Sequence, residues 1–191
     1  MESFYKKCSD VHTNILCALE VGLKLHPDTL KERCNDNCCE LRLNHYPACE
    51  ADELKGGVAN RISAHTDFGT ITLLFQDEVG GLEIEDQKNL GVYLPVKRER
   101  PTEMIVNVGD CLQRWTNDIL RSASHRVQLP PGLKEGHVRD RYSVAYFGKP
   151  NRDQSVATLE YFIDKEGPQK YRDITAWEYN QEKLTRTYLS S

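Results

Sequence analysis

The chain has 191 residues, of which 39% are hydrophobic and 28% are charged. These proportions are typical of a globular domain and exclude a disordered or fibrous protein. A net charge of −4 provides no broad basic surface for nucleic acid, and no apolar run approaches the roughly 18 residues that a membrane span requires. We therefore expect neither nucleic acid nor a membrane as a partner.

The N-terminal sequence and the cysteine content indicate the cellular compartment of the protein. The first residues, MESFYKKCSD, lack the apolar core of a secretory signal, so we expect a cytoplasmic protein. Seven cysteines, an odd number, indicate reduced thiols rather than a disulfide framework. Cys34, Cys38 and Cys39 are close enough in sequence to share a zinc ion, but no second Cys or His pair completes four ligands. A zinc site is therefore not expected.

The first 25 residues predict an amphipathic helix, because apolar side chains recur every three or four positions. This stripe comprises Phe4, Cys8, Val11, Ile15, Leu19 and Leu23. Pro27 is expected to end the helix. Residues 27–32 predict a short second helix that begins with a proline and an acid.

From about residue 36 the pattern changes to short strands separated by turns. We predict strands at residues 40–46, 70–75, 82–85, 104–108, 124–129 and 142–147. Turn-forming sequence lies between them at residues 47–60, 77–81, 109–110 and 130–132. Because no helical crossovers separate the strands, the pattern favours a β-sandwich or jelly roll over a parallel sheet.

A third helix is predicted near the C-terminus. Thr175 and Glu178 have the spacing of a capping box, and Trp177, Leu184 and Tyr188 form an apolar stripe. The predicted fold is thus mostly β with flanking helices. We expect one domain over residues 1–191, with a helical lead-in at 1–35, a jelly-roll core at 36–150 and a C-terminal extension with a helix at 151–191.

His65 and Asp67 lie two residues apart just before a predicted strand. On an extended backbone such residues project from the same face, so both side chains can bind one ion. His125, on another predicted strand, is the candidate third ligand, since a jelly roll brings distant strands together. Two imidazoles and one carboxylate are the facial triad of non-haem Fe(II) oxygenases, which leaves coordination positions open.

The pattern at residues 65–67 also has a structural interpretation, because an Asp beside a glycine is often a turn former. The pair Arg141 and Ser143 makes the metal interpretation stronger. Residues two apart on a strand again share a face, and a guanidinium with a hydroxyl suits the carboxylate of a bound acid. Taken alone, the same pair would more simply be a solvated edge of the sheet.

Several motifs together resemble, in order and context, those of the 2-oxoglutarate and Fe(II)-dependent dioxygenases, in the branch that contains isopenicillin N synthase-like enzymes. They are His65-Thr66-Asp67, Gly80-Gly81-Leu82, Val106-Asn107-Val108-Gly109-Asp110, Ser124-His125-Arg126-Val127 and Arg141-Tyr142-Ser143, with Leu43-Asn44-His45-Tyr46-Pro47 similar to an Asn-x-Tyr-Pro strand of that branch. The stretches HTDFGTITLLFQD and RYSVAYFGKPN are most similar to fungal members, which often act in secondary metabolism or in catabolism of small heterocycles.

This resemblance implies a double-stranded β-helix and a role for each matching residue. His65, Asp67 and His125 would hold Fe(II), Arg141 and Ser143 would bind the distal carboxylate of 2-oxoglutarate, and Tyr46 and Asn44 would contact the same co-substrate. The implied reaction consumes O₂ and releases succinate and CO₂. It oxidises a small organic molecule by hydroxylation, desaturation or ring closure.

The remaining aromatic and imidazole side chains have both functional and structural interpretations. Phe147 shares strand parity with Arg141 and Ser143, so it is a candidate for the substrate pocket, although core packing explains it equally well. Trp115 is a candidate to close over the site or to pack in the core. The remaining histidines, His12, His26, His45 and His137, lack partners at ligand spacing and are interpreted as structural.

Members of the resembled family carry an N-terminal region before the helix that opens this chain. We expect that region to be absent here, which would leave a sheet edge or apolar face open for association. Two alternatives therefore stay open. One is an Fe(II) oxidase of the isopenicillin N synthase kind, which uses no 2-oxoglutarate and directs the Arg141/Ser143 pair to its substrate. The other is a non-catalytic remnant or partner-binding fragment.

Overall fold

The opening helix, α1 (Glu2–Leu23), forms where the apolar periodicity predicts it, in a computed structural model that describes residues 1–56 and 61–189. Its most buried apolar side chains include Cys8 and Leu16. Phe4 packs edge-on against Phe75 of the first sheet, with ring centroids 5.2 Å apart. The helix thus covers one face of that sheet and excludes water from it.

The short helix predicted at residues 27–32 is wrong. This segment forms turns, followed by a single 3₁₀ turn at Glu32–Cys34. The cause is the buried carboxylate of Glu20, which accepts hydrogen bonds from the backbone N–H groups of Asp28 and Leu30 at 3.1 and 2.6 Å. These donors are satisfied by a side chain, so the segment needs no helical partner.

Ten strands lie in the described residues, and the six predicted strands match to within two residues at either end. They are β1 (Glu40–Tyr46), β2 (Cys49–Glu50), β3 (Ile62–His65), β4 (Ile71–Gln76), β5 (Leu82–Glu85), β6 (Tyr93–Pro95), β7 (Ile105–Val108), β8 (His125–Val127), β9 (His137–Val138) and β10 (Arg141–Phe147). The four strands that were not predicted have two to four residues each. Segments this short carry too little alternation to be recognised.

The strands form two four-stranded antiparallel sheets and one small pair. The first sheet has the order β1-β10-β4-β7, the second has the order β3-β8-β5-β6, and β2 pairs with β9. In the first sheet, Tyr46 lies opposite Arg141 and Asn44 lies opposite Ser143. In the second sheet, β3 and β8 are neighbours. Strand register therefore places the predicted site residues side by side, although they are distant in sequence.

Four α-helices follow α1 within the described residues: α2 (Ala51–Lys55), α3 (Asp110–Trp115), α4 (Glu160–Glu166) and α5 (Ala176–Leu189). Two of them correct the sequence prediction. α2 and β2 occupy residues 49–55 of the turn predicted at 47–60, of which residues 57–60 lie outside the described part, and the turn predicted at 109–110 is the start of α3. No helix in residues 1–56 or 61–189 is both long and apolar enough to cross a bilayer.

The capping box predicted before α5 is confirmed. The backbone N–H of Glu178 donates to Thr175 Oγ1 at 3.2 Å, and the Glu178 carboxylate accepts from the Thr175 N–H at 3.0 Å. The apolar stripe predicted for this helix is only partly correct. Trp177 is 47% exposed, because its ring lies beside the Arg152 guanidinium at the surface rather than in the core. The side chain of Tyr188 lies outside the described part.

His12 is 2% exposed and lies between α1 and the first sheet. Its Nε2 is 2.8 Å from Thr70 Oγ1, whose hydroxyl donates to a backbone carbonyl, so the imidazole is the donor to Thr70. Burial lowers the pKa of His12 to about 4. The imidazole is therefore neutral in the folded protein at pH values where an exposed histidine is already charged.

We expect His12 to make the protein acid-sensitive. Its folded pKa of about 4 lies below the ordinary value of 6.5, so the unfolded chain binds the proton more readily and stability falls as pH decreases from about 6.5 towards 4. At about pH 5 this linkage costs about 2 kcal/mol. Urea melts at about pH 7.5 and about pH 5 should show a smaller pH effect for His12→Gln than for the parent chain. His26→Gln, at an exposed position, is the control and should change nothing; an unaltered pH effect in His12→Gln would contradict the prediction.

Candidate metal and co-substrate site

His65, Asp67 and His125 come together at one end of the second sheet. His65 ends β3 and is the direct cross-strand partner of His125 at the start of β8, and Asp67 follows in the loop to β4. One ligand atom from each residue lies within 4.8 Å of the others. Both imidazole Nε2 atoms are 3.8 Å from Asp67 Oδ1. Among the described residues, this is the group of His, Cys, Asp and Glu side chains with the spacing of a metal site.

Backbone carbonyls fix the orientation of both imidazoles. His65 Nδ1 lies 2.9 Å from the carbonyl of Ser63, and His125 Nδ1 lies 3.0 Å from that of Ala123. A carbonyl can only accept, so each Nδ1 carries the proton and each Nε2 presents its lone pair to the shared point. Desolvation, followed by the neighbouring His125, also lowers the pKa of His65. A neutral imidazole is the form that binds a metal.

Asp67 is 5% exposed and its carboxylate is held at one oxygen. Thr72 Oγ1 and Asn107 Nδ2 donate to Oδ2 at 2.7 and 2.8 Å, which leaves Oδ1 facing the two imidazoles. A buried carboxylate with one oxygen directed at two lone pairs needs a cation. The donor set of two neutral nitrogens and one carboxylate oxygen fits Fe(II).

Sequence reasoning missed Thr72 and Asn107 as supports of Asp67. Both lie at inward-facing positions of mainly apolar strands, β4 and β7, and both line the cavity between the sheets. Polar residues at such positions are the signal that could have identified them, because an inward polar side chain requires a partner. Their shared role depends on the pairing of β4 with β7, which places Thr72 opposite Asn107.

The turn after Asp67 depends on a close backbone approach at Gly69. A Cβ at this position would lie 2.2 Å from the carbonyl oxygen of Gly148, which no side chain tolerates. The backbone N–H of Thr70 donates to the same carbonyl at 2.8 Å. The segment 67–69 therefore shapes the entry to β4, so the metal and turn interpretations of this segment are compatible.

A cavity of about 750 Å³, including its part open to solvent, lies between the two sheets. The triad lies on its wall, together with inward-facing residues of the first sheet. Apolar side chains make up much of the remaining lining: Ile62, Leu74, Leu82, Ile84, Val96, Ile105, Val127, Ala145 and Phe147. The space suits a small molecule beside the triad.

Arg141 is 1% exposed and lies on the same cavity wall. Its Nε donates to the Gly80 carbonyl at 3.0 Å and its Nη2 to Gln76 Oε1 at 2.7 Å, whereas its buried Nη1 has no partner among the described residues. The Tyr46 ring lies 4.9 Å from the guanidinium carbon. A buried cation with a free donor fits one carboxylate oxygen of a bound acid.

The other predicted co-substrate residues lie beside this guanidinium. Ser143 is buried two residues along β10, and Asn44 Nδ2 lies 3.3 Å from its hydroxyl oxygen. Both side chains line the cavity. The structure thus brings together Arg141, Ser143, Asn44 and Tyr46.

Of the two weaker candidates, only Phe147 lines the cavity. Trp115 is fully buried in the apolar core, where its Nε1 donates to the Ser155 carbonyl at 2.9 Å. Trp115 therefore packs in the core, and its other predicted role, closing over the site, is wrong: the Ser155 carbonyl holds the indole away from the cavity. Sequence reasoning also missed Arg42, which lines the cavity at its solvent-exposed end and lies 5.2 Å from the Phe147 ring.

The remaining histidines and the cysteine cluster lie elsewhere. His45 pairs with Asp140 at 2.6 Å and stacks on Tyr142, as expected from its parity opposite to that of Tyr46. Cys34 packs against the apolar core, and burial raises the pKa of its thiol. A protonated thiol is a poor metal ligand.

Comparisons with known proteins agree with this geometry. The profile of the 2OG-Fe(II) oxygenase superfamily matches residues 37–150. The 2-oxoglutarate-Fe(II) type oxidoreductase ppzD of Metarhizium majus (strain ARSEF 297) is 56% identical over 188 residues, which are 98% of this chain and 53% of that protein. The proline hydroxylase buaE of Petromyces alliaceus is 56% identical over 189 residues, 98% of this chain and 59% of the relative. The chain spans about half the length of the curated relatives it matches.

Solved structures give the same result. A full-length Neurospora crassa protein in complex with alpha-KG superimposes with a TM-score of 0.86 at 33% identity, over 97% of this chain and 56% of that one. The complex of the same Neurospora protein with alpha-KG and thymine gives an equal TM-score. The predicted mostly-β jelly roll and the predicted cofactors, Fe(II) and 2-oxoglutarate, are confirmed, while the isopenicillin N synthase-like branch stays a prediction. The chain belongs to the 2OG-Fe(II) oxygenase superfamily.

Proposed function

We propose that the chain is the catalytic part of a 2-oxoglutarate-dependent Fe(II) dioxygenase that oxidises a small organic molecule. The observation that carries this proposal is the convergence of three ligand atoms within 4.8 Å on the wall of a cavity that is also lined by Arg141, whose buried Nη1 has no partner among the described residues. A metal triad and a carboxylate anchor in one apolar cavity are the two requirements for a keto acid that binds iron at one end and the protein at the other.

His65, Asp67 and His125 would hold the iron from one side and leave the cavity side open. Arg141 and Ser143 would bind the distal carboxylate of 2-oxoglutarate, and Asn44 and Tyr46, which lie beside these two side chains, would contact the same co-substrate. Fe(II) with 2-oxoglutarate supplies the oxidising chemistry: one O₂ yields an oxidised substrate, succinate and CO₂. The apolar walls would keep bulk water from this reaction.

Two alternatives to a dioxygenase differ from it in O₂ consumption or succinate formation. An Fe(II) oxidase of the isopenicillin N synthase kind would use O₂ without forming succinate, and a non-catalytic fragment would do neither. The relatives named as 2-oxoglutarate enzymes and the neighbours in complex with alpha-KG favour the dioxygenase. Succinate formed in step with O₂ consumption separates all three possibilities.

The names of relatives indicate which substrates to test first. The relative buaE is a proline hydroxylase, and the Neurospora crassa protein was crystallised with thymine. We propose a small amino acid or small heterocycle, of the kind handled in fungal secondary metabolism. The test is succinate release by the Fe(II)-loaded chain across a panel of both classes. Stimulation by one panel member over the substrate-free rate supports the proposal, and iron-loaded chain that forms no succinate with any of them contradicts it.

Arg42 is the residue we expect to distinguish anionic substrates. It lies opposite Ala145 on the cavity face of the first sheet. Its Nη2 forms an ion pair with Glu40 Oε1 at 2.6 Å. Arg42→Met should raise the Michaelis constant of a carboxylate substrate about tenfold, because one charge-assisted hydrogen bond is lost, and should leave the 2-oxoglutarate requirement unchanged. Lys149→Met is the control, since Lys149 also pairs with Glu40 but does not line the cavity. An unchanged Michaelis constant for that substrate in Arg42→Met would contradict this assignment.

A further inference from the structure

One side chain of the last helix reaches the loop that carries the metal ligand Asp67. Lys183 Nζ lies 2.6 Å from Thr66 Oγ1 and 5.0 Å from the centre of the Phe68 ring. Thr66 and Phe68 are the two neighbours of Asp67 in the chain. One lysine of α5 therefore contacts the loop on both sides of a metal ligand.

Asp110 links the same helix to the backbone of that ligand. Its buried carboxylate oxygen Oδ2 pairs with Lys183 and accepts a hydrogen bond from Tyr179 at 2.8 Å. The hydroxyl of Thr66 donates to the same oxygen at 3.2 Å. The backbone N–H of Asp110 donates to the carbonyl of Asp67 at 2.8 Å. The contacts form one continuous network from α5 to the metal-binding loop.

This network lies on the far side of the loop from the cavity. Lys183, Tyr179, Asp110 and Thr66 line a separate polar cleft, and none of the four lines the cavity between the sheets. They therefore do not line the space that would hold the ion and the co-substrate. Any effect they have on the metal site passes through the position of residues 65–67.

We propose that α5 is a latch that sets the affinity of the site for its metal: Lys183 and Tyr179, through Asp110 and Thr66, hold His65 and Asp67 in their ligating positions. The inference rests on the triad as the metal site. Groups that support metal ligands from outside typically contribute about 10- to 100-fold to metal affinity. Since Lys183 acts through the loop, we expect an effect near the lower end of that range.

The charge of Lys183 and its positioning role would change the metal affinity in opposite directions. The direction of the change in a Lys183 variant therefore tests the proposal. A positive charge near the site repels a metal cation, and the charge of Lys183 is one of the smaller influences that lower the pKa of His65. If its charge were its only influence, Lys183→Met would bind metal more tightly. As a positioning residue, the same change binds metal more weakly.

The experiment is a Co(II) titration of the full chain without 2-oxoglutarate, followed by the visible spectrum of the bound ion. We expect Lys183→Met to raise the dissociation constant about tenfold and to alter the spectrum, and Lys183→Arg to restore both. Arg172→Met is the matched control: it removes an equal charge and an exposed ion pair to Glu182 of the same helix, and it should bind as the parent chain does.

An unchanged or lower dissociation constant in Lys183→Met would overturn the latch. If Lys183→Met does not fold, Tyr179→Phe decides, since it loses only the hydroxyl that donates to Asp110: weaker Co(II) binding supports the latch and unchanged binding overturns it. Failure of the parent chain to bind Co(II) would contradict the metal site itself. Normal binding with no change in the variants would contradict the latch alone.

Discussion

Asp67→Ala is expected to abolish metal binding and 2-oxoglutarate turnover together. The substitution removes the one carboxylate of the triad and leaves two neutral imidazoles, which do not hold Fe(II) in a facial arrangement. It also leaves Thr72 and Asn107 without their shared acceptor. We expect a loss of metal affinity larger than the about 100-fold upper range seen when only an outer partner of a ligand is removed.

Two further variants separate the ligand from the fold. Asp67→Asn keeps the size of the side chain and an acceptor for the supporting donors, so it should fold as the parent chain does and still fail to bind Fe(II) tightly. Asp153→Ala removes an exposed carboxylate elsewhere and should behave as the parent chain does. Competition with a chelator gives the affinity, and succinate release gives the turnover. Parent-like iron affinity in Asp67→Asn would show that this carboxylate is not a ligand.

Arg141→Met is expected to raise the 2-oxoglutarate concentration required for half-maximal turnover by about 30-fold or more. Loss of one partner of a buried charged pair costs about 2–5 kcal/mol, and each 1.4 kcal/mol is about a factor of ten. The iron affinity should stay unchanged, because Arg141 contacts Gly80, Gln76 and Tyr46 rather than the triad.

The matched control is Arg139→Met, two residues before Arg141, where the side chain is exposed and pairs with Glu78 at the surface. Arg141→Lys provides a second test at this buried position. It keeps the positive charge but removes the planar guanidinium and its paired N–H donors. Initial rates across a range of 2-oxoglutarate concentrations, in protein loaded with iron, measure the effect. Equal 2-oxoglutarate dependence in both Arg141 variants and the parent chain would remove Arg141 from the site.

Strand parity explains why much of the site could be predicted from sequence. Arg141 and Ser143 share a face because side chains alternate along a strand, and the same rule places Tyr46 and Asn44 inward and His45 outward. The fold class followed from many short strands without helical crossovers. Both are local patterns, so they can be recognised in the sequence without the tertiary structure.

Contacts between distant segments could not be predicted in the same way. Lys183 meets Thr66 across more than half of the sequence, and Asn107 meets Asp67 through the pairing of β4 with β7. The position of Trp115 is ambiguous from sequence, because an apolar aromatic residue suits a pocket wall and a core equally well. The helix predicted at residues 27–32 does not form because Glu20, the buried partner of their backbone, lies in a different element. Each of these depends on which segments pack together.

Several features stay predictions from the sequence. They include the cytoplasmic location and the lack of nucleic-acid and membrane partners. The roles assigned to individual site residues are proposals that the variants above test. The burial of these side chains and the distances between them support the assigned roles.

The most direct test of the site is an anaerobic titration of the Fe(II)-loaded chain with 2-oxoglutarate, followed by visible absorption. If the triad and Arg141 bind one keto acid between them, a weak charge-transfer band should grow to saturation with one 2-oxoglutarate per iron, and Arg141→Met should need much more 2-oxoglutarate to reach it. Iron-loaded chain that shows no band at any 2-oxoglutarate concentration would contradict the proposed site.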